Sequence, residues 1–423
     1  MVMADHRSSL EAIFREVLRK HEPAGVVEHF LHDYHDALQP GVTIAVAASG
    51  KSACGMARGA FGFLGTRIKR GLVISNDREP QLPGVFEYHL TSHPVPGERS
   101  VVAANTLINF VSSTDNSTVL LYLTSGGTSS MVSMPAKGIT LQEKSELTSI
   151  LMKNGIEIHD LNLVRSFFSD IKGGGLLRHV QASKVVNLII SDVVDNDLSV
   201  IGSGMLVPRT IDPRQVVEVL EKFGNPVDQD IIAKCINISK DSPLPEMNNA
   251  REVSNFIIDS NRHFVDDFAM LATKLGYRTE VLSQPVTGES VKAVDNFLAY
   301  AGGLNPKGEQ PLMLIAGAET GVVVRGSGTG GRNSEFAMRA APLLADRNCF
   351  LLAAGTDGID GSTTRAGALV DGESFRMGAA LGLDYTAMLA NSDSGTWCGL
   401  TGSAIKTGST GVNLADIIVF VMA

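Results

Sequence analysis

The sequence predicts an α/β protein of two α/β domains, the first built on a parallel sheet, with a ligand cleft between them. Three observations lead there. Apolar, β-branched runs such as 42–48 (VTIAVAA), 119–123 (VLLYL) and 185–191 (VVNLIIS) are continuous rather than alternating, as strands covered on both faces are. Helical segments alternate with these runs, the pattern of βαβ crossovers. Glycine supplies 43 of 423 residues, and the surplus gathers where strands end, the place where open α/β sheets bind ligands.

Composition narrows the class. Hydrophobic residues at 44% and charged residues at 19% describe an ordered globular chain. Lys+Arg 36 against Asp+Glu 45 gives a net charge of −9, which argues against a nucleic-acid surface. The four cysteines (Cys54, Cys235, Cys349, Cys398) are widely spaced with no C-x-x-C, so a disulfide framework or metal cluster is not expected and a reducing, cytoplasmic setting fits. Residues 1–20 read as an amphipathic helix rather than a signal peptide, and no apolar run is long enough to span a membrane.

Taken in order, helical patterns cover 10–20 and 26–31, before the strand 42–48. That strand runs through Ser49, Gly50, Lys51 and Ser52 into a small-residue helix at 53–63, and the strand 71–75 (GLVIS) completes a βαβ unit. Residues 76–97 read as a loop and 100–112 as a helix. The strand 119–123 ends in TSGGTSS. Thr140 and Glu143 form a capping box opening a helix to 152. Further on lie the strand 185–191, a Gly-containing loop at 201–208 and a helix at 213–223. The polar, proline-bearing stretch 225–249 is the linker candidate, dividing a domain 1–245 from a domain 246–423. Beyond it, 253–258 opens a new set of alternations: helix 261–275, strand 278–282, helix 290–300 and strand 311–316. A second strand-like run, 320–325 (TGVVVR), feeds the glycine loop 326–331, and helix 334–344 follows. The strand 349–354, two short helices and the strand 417–421 close the chain.

The strand ends carry the chemistry. Ser49-Gly50-Lys51-Ser52 resembles the end of a phosphate-binding Walker loop, but that motif needs glycine where this chain has Ala45. A lysine at a helix start beyond a buried strand remains. Ser125, Gly126 and Gly127 begin a second loop rich in backbone and hydroxyl donors, and Lys172 with Gly173 begins a third. Asp192, Asp195 and Asp197 follow a strand, where carboxylates hold Mg²⁺ or take a proton from a hydroxyl; Glu319, Asp357 and Asp360 pose the same choice later. In the loop GSGTGG, Gly328 and Gly330 bring backbone N–H groups toward a ligand, and Arg332 adds a fixed cation beside Asn333. Donor loops, two cations and strand-end acids together are what phosphoryl transfer demands. The GSGTGG glycines also fit a dinucleotide fingerprint, so an NAD(P)-dependent hydroxypyruvate reductase is the alternative. Against it, the acid expected about twenty residues on is missing.

With these residues assembled, the chain resembles the class II glycerate kinases, the glycerate 2-kinase family with a C-terminal MOFRL domain. The resemblance rests on SGKSACGMA (49–57), LTSGGTSS (123–130), NLVRSFFSDIKGGGL (162–176), LIISDVV (188–194), AGAETGVVVRGSGTGGRNSEFA (316–337), AAGTDGIDGSTTRAGALVD (353–371) and TGSTGVNLADI (407–417). It implies a Rossmann-like N-terminal domain, a MOFRL-type C-terminal domain and an active site in the cleft. It also implies ATP-dependent phosphorylation of D-glycerate with Mg²⁺, usually at the 2-hydroxyl, by a monomer or homodimer acting on small molecules, with no nucleic-acid or membrane partner. By motif position the family's important lysine is Lys51, its arginine Arg332 and its SDVV aspartate Asp192, as base or metal ligand. Ser125, Gly126, Gly127, Lys172, Gly173, Glu319, Gly328, Gly330, Asn333, Asp357 and Asn413 are then expected to bind substrate or nucleotide. The chain departs from the family at Asp195-Asn196-Asp197 and at Met205, which bears on local loop shape and substrate preference.

Overall fold

Continuous apolar runs become strands sealed on both faces. All eight residues of 118–125 are buried, as are all but the first residue of the strands at 43–49 and 184–191. The computed structural model describes residues 6–34, 38, 41–78, 81–193, 195–222, 229–241, 252–304 and 310–423. Helices α1 (His6–Lys20) and α2 (Pro23–Asp33) lead into β1 (Thr43–Ser49), α3 (Ala53–Leu64), β2 (Ile68–Ser75), β3 (Phe86–Leu90), α4 (Glu98–Ser112), β4 (Thr118–Ser125) and a single turn, α5 (Thr128–Met131). Next come α6 (Leu141–Lys153), α7 (Ile158–Phe167), β5 (Lys184–Ser191), α8 (Pro213–Lys222), α9 (Gln229–Asp241) and β6 (Glu252–Ser260). Then follow α10 (Asn261–Lys274), β7 (Arg278–Val281), β8 (Val286–Glu289), α11 (Ser290–Gly303), β9 (Leu312–Gly321), α12 (Arg332–Leu344), β10 (Cys349–Gly355) and β11 (Gly367–Asp371). Helices α13 (Ser374–Ala380), α14 (Tyr385–Ala390) and α15 (Ser394–Leu400), with β12 (Ala404–Ile405) and β13 (Asp416–Met422), complete the described chain. No helix among the described residues is long and apolar enough to cross a membrane.

The first sheet has the order β3-β2-β1-β4-β5-β6, and its strands from β3 to β5 are mutually parallel. The order reverses between β1 and β4, so the crevice beyond their carboxyl ends is a topological switch point. Its core runs from Ala45, Leu72 and Leu120 on the sheet to Ala104 and Leu107 on α4. A helical annex of α6, α7, α8 and α9 packs its own cluster around Leu147, Phe168, Val216 and Cys235. Thr140 caps α6 as expected: Glu143 N donates to Thr140 Oγ1 at 3.1 Å, and Thr140 N donates back to Glu143 Oε2 at 2.8 Å. Such a box is worth about 1 kcal/mol.

The second sheet is mixed, with the order β12-β11-β10-β13-β9-β7, and β8 also pairs with β9. Strands β7 and β8 share one edge of β9, both parallel to it, on either side of Pro285, which has no N–H to continue the ladder. The strands expected at 311–316 and 320–325 are in fact one, ending at Gly321. Pairing stops there because β8 ends opposite Gly321 and β13 opposite Ala318. Val323 and Val324 are consequently exposed despite their strand propensity.

Further elements escaped the sequence reading, β3 and β11 among them. Strand β3 lies inside the expected loop 76–97, and β11 was not foreseen. The chain divides into two compact units: Pro23–Ser191 with 195–258, and 259–423 with Asp192, Val193 and the stretch ending at Glu22. Helix α1 therefore packs within the second unit, on α10 through Phe14 against Phe264 and Lys20 against Asp267, although the sequence reading counts it in the domain 1–245. Strand β6 belongs to the first sheet, although its sequence reads as opening the second domain. In the linker candidate 225–249, residues 229–241 form α9. The rest, including the expected boundary between 245 and 246, lies outside the described residues.

Candidate functional site

At the switch point the loops after β1 and β4 are stitched together. Lys51 N donates to Gly126 O at 2.9 Å, Ser52 N to Ser125 Oγ at 3.1 Å, and Gly50 N to Ile74 O at 3.1 Å. Gly50 has φ +118, and any Cβ there would overlap Ser125, so only glycine lets these loops meet. Thr128 Oγ1 sits 2.8 Å from the carbonyl oxygens of both Ser49 and Ser125. The Ser125 hydroxyl, expected as a ligand donor, is thus occupied in joining the two loops. The backbone is different. Among the described residues, no acceptor takes the amides of Gly126, Gly127, Thr128 or Ser129. Four successive open donors, two of them on buried residues, need a ligand or water as partner.

Ser129 also anchors a cluster of cations. Lys172 Nζ donates to Ser129 O at 2.9 Å and to Ser129 Oγ at 2.8 Å, Ser203 Oγ lies 2.8 Å from that hydroxyl, and Arg165 Nη2 reaches it at 3.4 Å. Gly173 does not offer its amide to a ligand: it donates to Ser203 O at 2.9 Å, and Gly174 N donates to Gly204 O at 2.8 Å. Lys144 is buried, and its ammonium has no hydrogen-bond partner among the described residues. Burial, then the charge of Arg165, pushes Lys144 down to about 7. Burial, then Lys144 and Arg165, holds Lys172 well below the usual lysine range. The sequence reading missed Lys144. Its signal was spacing, since Lys144, Leu147 and Leu151 form the buried stripe of α6.

This burial has a measurable consequence. In the unfolded chain Lys144 keeps its proton until about pH 10.4, but in the fold it releases it near 7. Above that pH the unfolded chain binds more protons, so stability rises with pH. Between pH 7 and 8.5, below most thiol titration, the ligand-free protein should gain about 2 kcal/mol at most. Lys144→Met should remove much of that slope. Thermal melts across this window check it, and a flat wild-type profile would contradict it.

In the second unit, the glycine loop before α12 is spent on the protein itself. Ser327 N donates to Asn391 Oδ1, Gly328 N to Asn391 O, Thr329 N to Asp393 Oδ1 and Gly330 N to Ser362 Oγ, at 2.9–3.2 Å. The start of α12 is occupied too: Asp360 accepts from Asn333 N at 2.9 Å and Ser334 N at 2.8 Å. A Cβ at Gly328, Gly330 or Gly331 would overlap Asp393, Ser394 or Asp360 respectively. These glycines permit close packing, and the amides of Gly328 and Gly330 are not the phosphate cradle the sequence suggests.

Arg332 is held by Asp416, with Nη2 donating to Oδ1 at 3.0 Å and Nε against Oδ2 outside hydrogen-bond alignment. Burial pushes Asp416 up to about 6 despite that pairing, and it pushes Asp360 up as well. The field of Asp416 holds Arg332 above its ordinary value, against its own desolvation. The guanidinium borders a cavity of about 670 Å³ with Gly328, Gly330, Glu335, Asp357 and Asp360 in its wall. Exposed Glu319 adds to the field on Arg332. Asn333 is buried, with its amide on Asp360 and its side chain on Asp416, so it supports the site from behind. Asn413 Nδ2 donates to Asp192 Oδ2 at 3.2 Å, which makes it a partner of the predicted acid.

Among the described residues no three His, Cys, Asp or Glu side chains converge on a metal position. Mg²⁺ rarely needs such a cage, since one or two carboxylates and phosphate oxygens complete its shell. Asp192 and Asp357 are hard oxygen donors that fit that requirement.

Residues 9–235 match a family described as a domain of unknown function (DUF4147), and 312–416 match the MOFRL family. The chain is 33% identical to the D-glycerate 2-kinase of Thermotoga maritima, over 89% of this chain and 90% of that one. It is 29% identical to the glycerate 2-kinase of Pyrococcus horikoshii, over 90% of this chain and 87% of that one. The crystal structure of the Thermotoga maritima glycerate kinase superposes with a TM-score of 0.84 at 31% identity, covering 98% of this chain and all of that one.

Proposed function

The chain belongs to the glycerate 2-kinase family, and from that premise we propose that it transfers the γ-phosphoryl group of ATP to D-glycerate, at the 2-hydroxyl. One observation of the site carries the reading: four successive amides, 126–129, have no acceptor among the described residues, in a loop at the switch point bonded through Gly126 O to the backbone of Lys51. Open N–H groups beside a lysine at the carboxyl edge of a parallel sheet suit the oxygens of an anionic ligand.

Phosphoryl transfer spreads negative charge over the equatorial oxygens, and the protein's contribution is positioning and neutralisation. In our reading Lys51 supplies a cation to the transferring group, and the 126–129 amides hold its oxygens. Arg332, kept in orientation by Asp416, supplies the second cation or clamps the glycerate carboxylate. Asp192, oriented by Asn413, takes the hydroxyl proton or serves as a metal ligand. Asp192 and Asp357 would hold Mg²⁺, whose chemistry is to neutralise phosphate oxygens when bound.

Phosphorus-31 NMR of the purified protein with MgATP and D-glycerate tests this. The expected result is a new phosphomonoester resonance with matching ADP, coupled to one proton for 2-phosphoglycerate and to two for 3-phosphoglycerate. ATP left intact by a folded protein would reject the reading.

A further inference from the structure

Arg165 and Lys172 meet at Ser129, Lys144 lies close enough to feel Arg165 and to act on Lys172, and among the described residues none of the three has an acidic partner. Lys144 reaches the cluster from α6, Arg165 from α7 and Lys172 from the loop after α7; no ion pair joins any of them to a carboxylate. Among the described residues, the charges that push Lys144 and Lys172 down belong to other members of the trio. Burying like charges together is costly, and a natural core normally supplies a counter-charge or removes the cations. This core does neither. Lys144 and Lys172 are 6% and 4% exposed, and the Lys144 ammonium is unpartnered among the described residues.

The cluster abuts the open amides. Ser129 contributes the last of the four N–H groups that have no acceptor among the described residues, and its carbonyl and hydroxyl are the atoms that Lys172 grips. Arg165, less buried than the lysines, offers a planar guanidinium with several donors, the geometry that matches a carboxylate or phosphate.

We propose that Arg165 and Lys172, which meet at Ser129, and the neighbouring Lys144 form with the 126–129 amides one binding site for a compact oxyanion. This rests on the kinase reading only for the source of the anion, which is either the carboxylate of D-glycerate or a phosphate of the nucleotide. The chemistry is the same for both: a small oxygen-rich anion balances three positive charges, and amide donors complete its hydrogen bonds. Without ligand, the strain of the unbalanced charge appears as the displaced Lys144 and Lys172 titrations.

The test is calorimetric binding to the full chain and to its Arg165→Gln and Lys144→Met variants. The probes are D-glycerate and, separately, a non-hydrolysable ATP analogue, with melts confirming that each variant folds. A tenfold or greater weakening for D-glycerate in both variants, with the nucleotide within twofold, is expected if the carboxylate occupies the site. The reverse pattern establishes an occupying phosphate and equally supports an oxyanion site. Both probes within twofold of wild type in both variants, or no binding of either probe to wild type, overturns the proposal. Turnover does not enter these measurements. A protein that binds both probes and transfers no phosphoryl group would therefore refute the kinase reading and leave this site standing.

Discussion

Arg332→Ala is expected to lower kcat by about 10²–10³-fold, the usual cost of removing one preorganised charge from a developing anion. Lys51→Ala should lose a comparable factor. The two differ in what else they disturb. The backbone bond from Lys51 N to Gly126 O is one that alanine retains. Arg332 is the counter-charge of Asp416, which is buried and already pushed up to about 6. Removing Arg332 leaves that carboxyl desolvated and unpaired. A fully buried pair broken this way costs about 3–5 kcal/mol. Because the guanidinium is 40% exposed and partly screened, about 1–2 kcal/mol is the better expectation.

That loss should depend on pH in a stated direction. Asp416 binds its proton more tightly in the fold than in the unfolded chain, so its contribution is complete below about pH 4 and is lost as pH rises through about 6. Without Arg332 the carboxyl rises further, and the penalty grows toward neutral pH. Arg332→Lys keeps the charge but not the planar contact with Asp416, and should recover only part of kcat. Steady-state kinetics with paired melts at pH 5 and 7.5 decide it. Turnover within tenfold of wild type for both alanine variants would sink the two-cation reading.

The strand-end loops were legible because each is local. A buried run followed by glycine and a lysine announces the Lys51 loop, and SGGT announces the loop after β4. Which amides remain open is not local. The loops 126–129 and 326–331 look equivalent as sequence, yet amides 327–330 of the second are taken by Asn391, Asp393 and Ser362, all thirty or more residues downstream. Its glycines answer to packing against those segments, a demand that no window around the loop contains. Lys144 illustrates the intermediate case: a lysine at a stripe position beside Leu147 and Leu151 is visible once helix α6 is phased, but its two cationic neighbours come from other elements. Helix α1 was correctly read as amphipathic, but amphipathicity names a buried face and not the core it covers. The Arg7–Asp371 and Lys20–Asp267 pairs that tie it to β11 and α10 of the second unit span hundreds of residues.

Asp360→Ala should strongly destabilise the second unit. Its carboxylate accepts from Asn333 N, Ser334 N and Ser334 Oγ, the last at 2.6 Å, and it lies at the positive end of the 13-residue α12. Loss of an N-cap alone costs about 1–2 kcal/mol. Buried donors left without a partner cost about 1–3 kcal/mol each, with incomplete additivity. A total near 4 kcal/mol is the expected outcome, seen as an early transition belonging to the second unit in a calorimetric scan. Asp360→Asn should fall between, because its carboxamide keeps one acceptor but turns an NH₂ toward a backbone donor. Activity should fall with stability, since Arg332 is the first residue of the helix that Asp360 caps. The distinguishing reading is substrate affinity at a temperature where the variant is folded. If Asp360 acts by holding the helix start, D-glycerate binding weakens in proportion to the lost order and recovers on cooling. A variant that melts within a degree of wild type would show that the amides of Asn333 and Ser334 find another acceptor, and that this buried acid is free for chemistry.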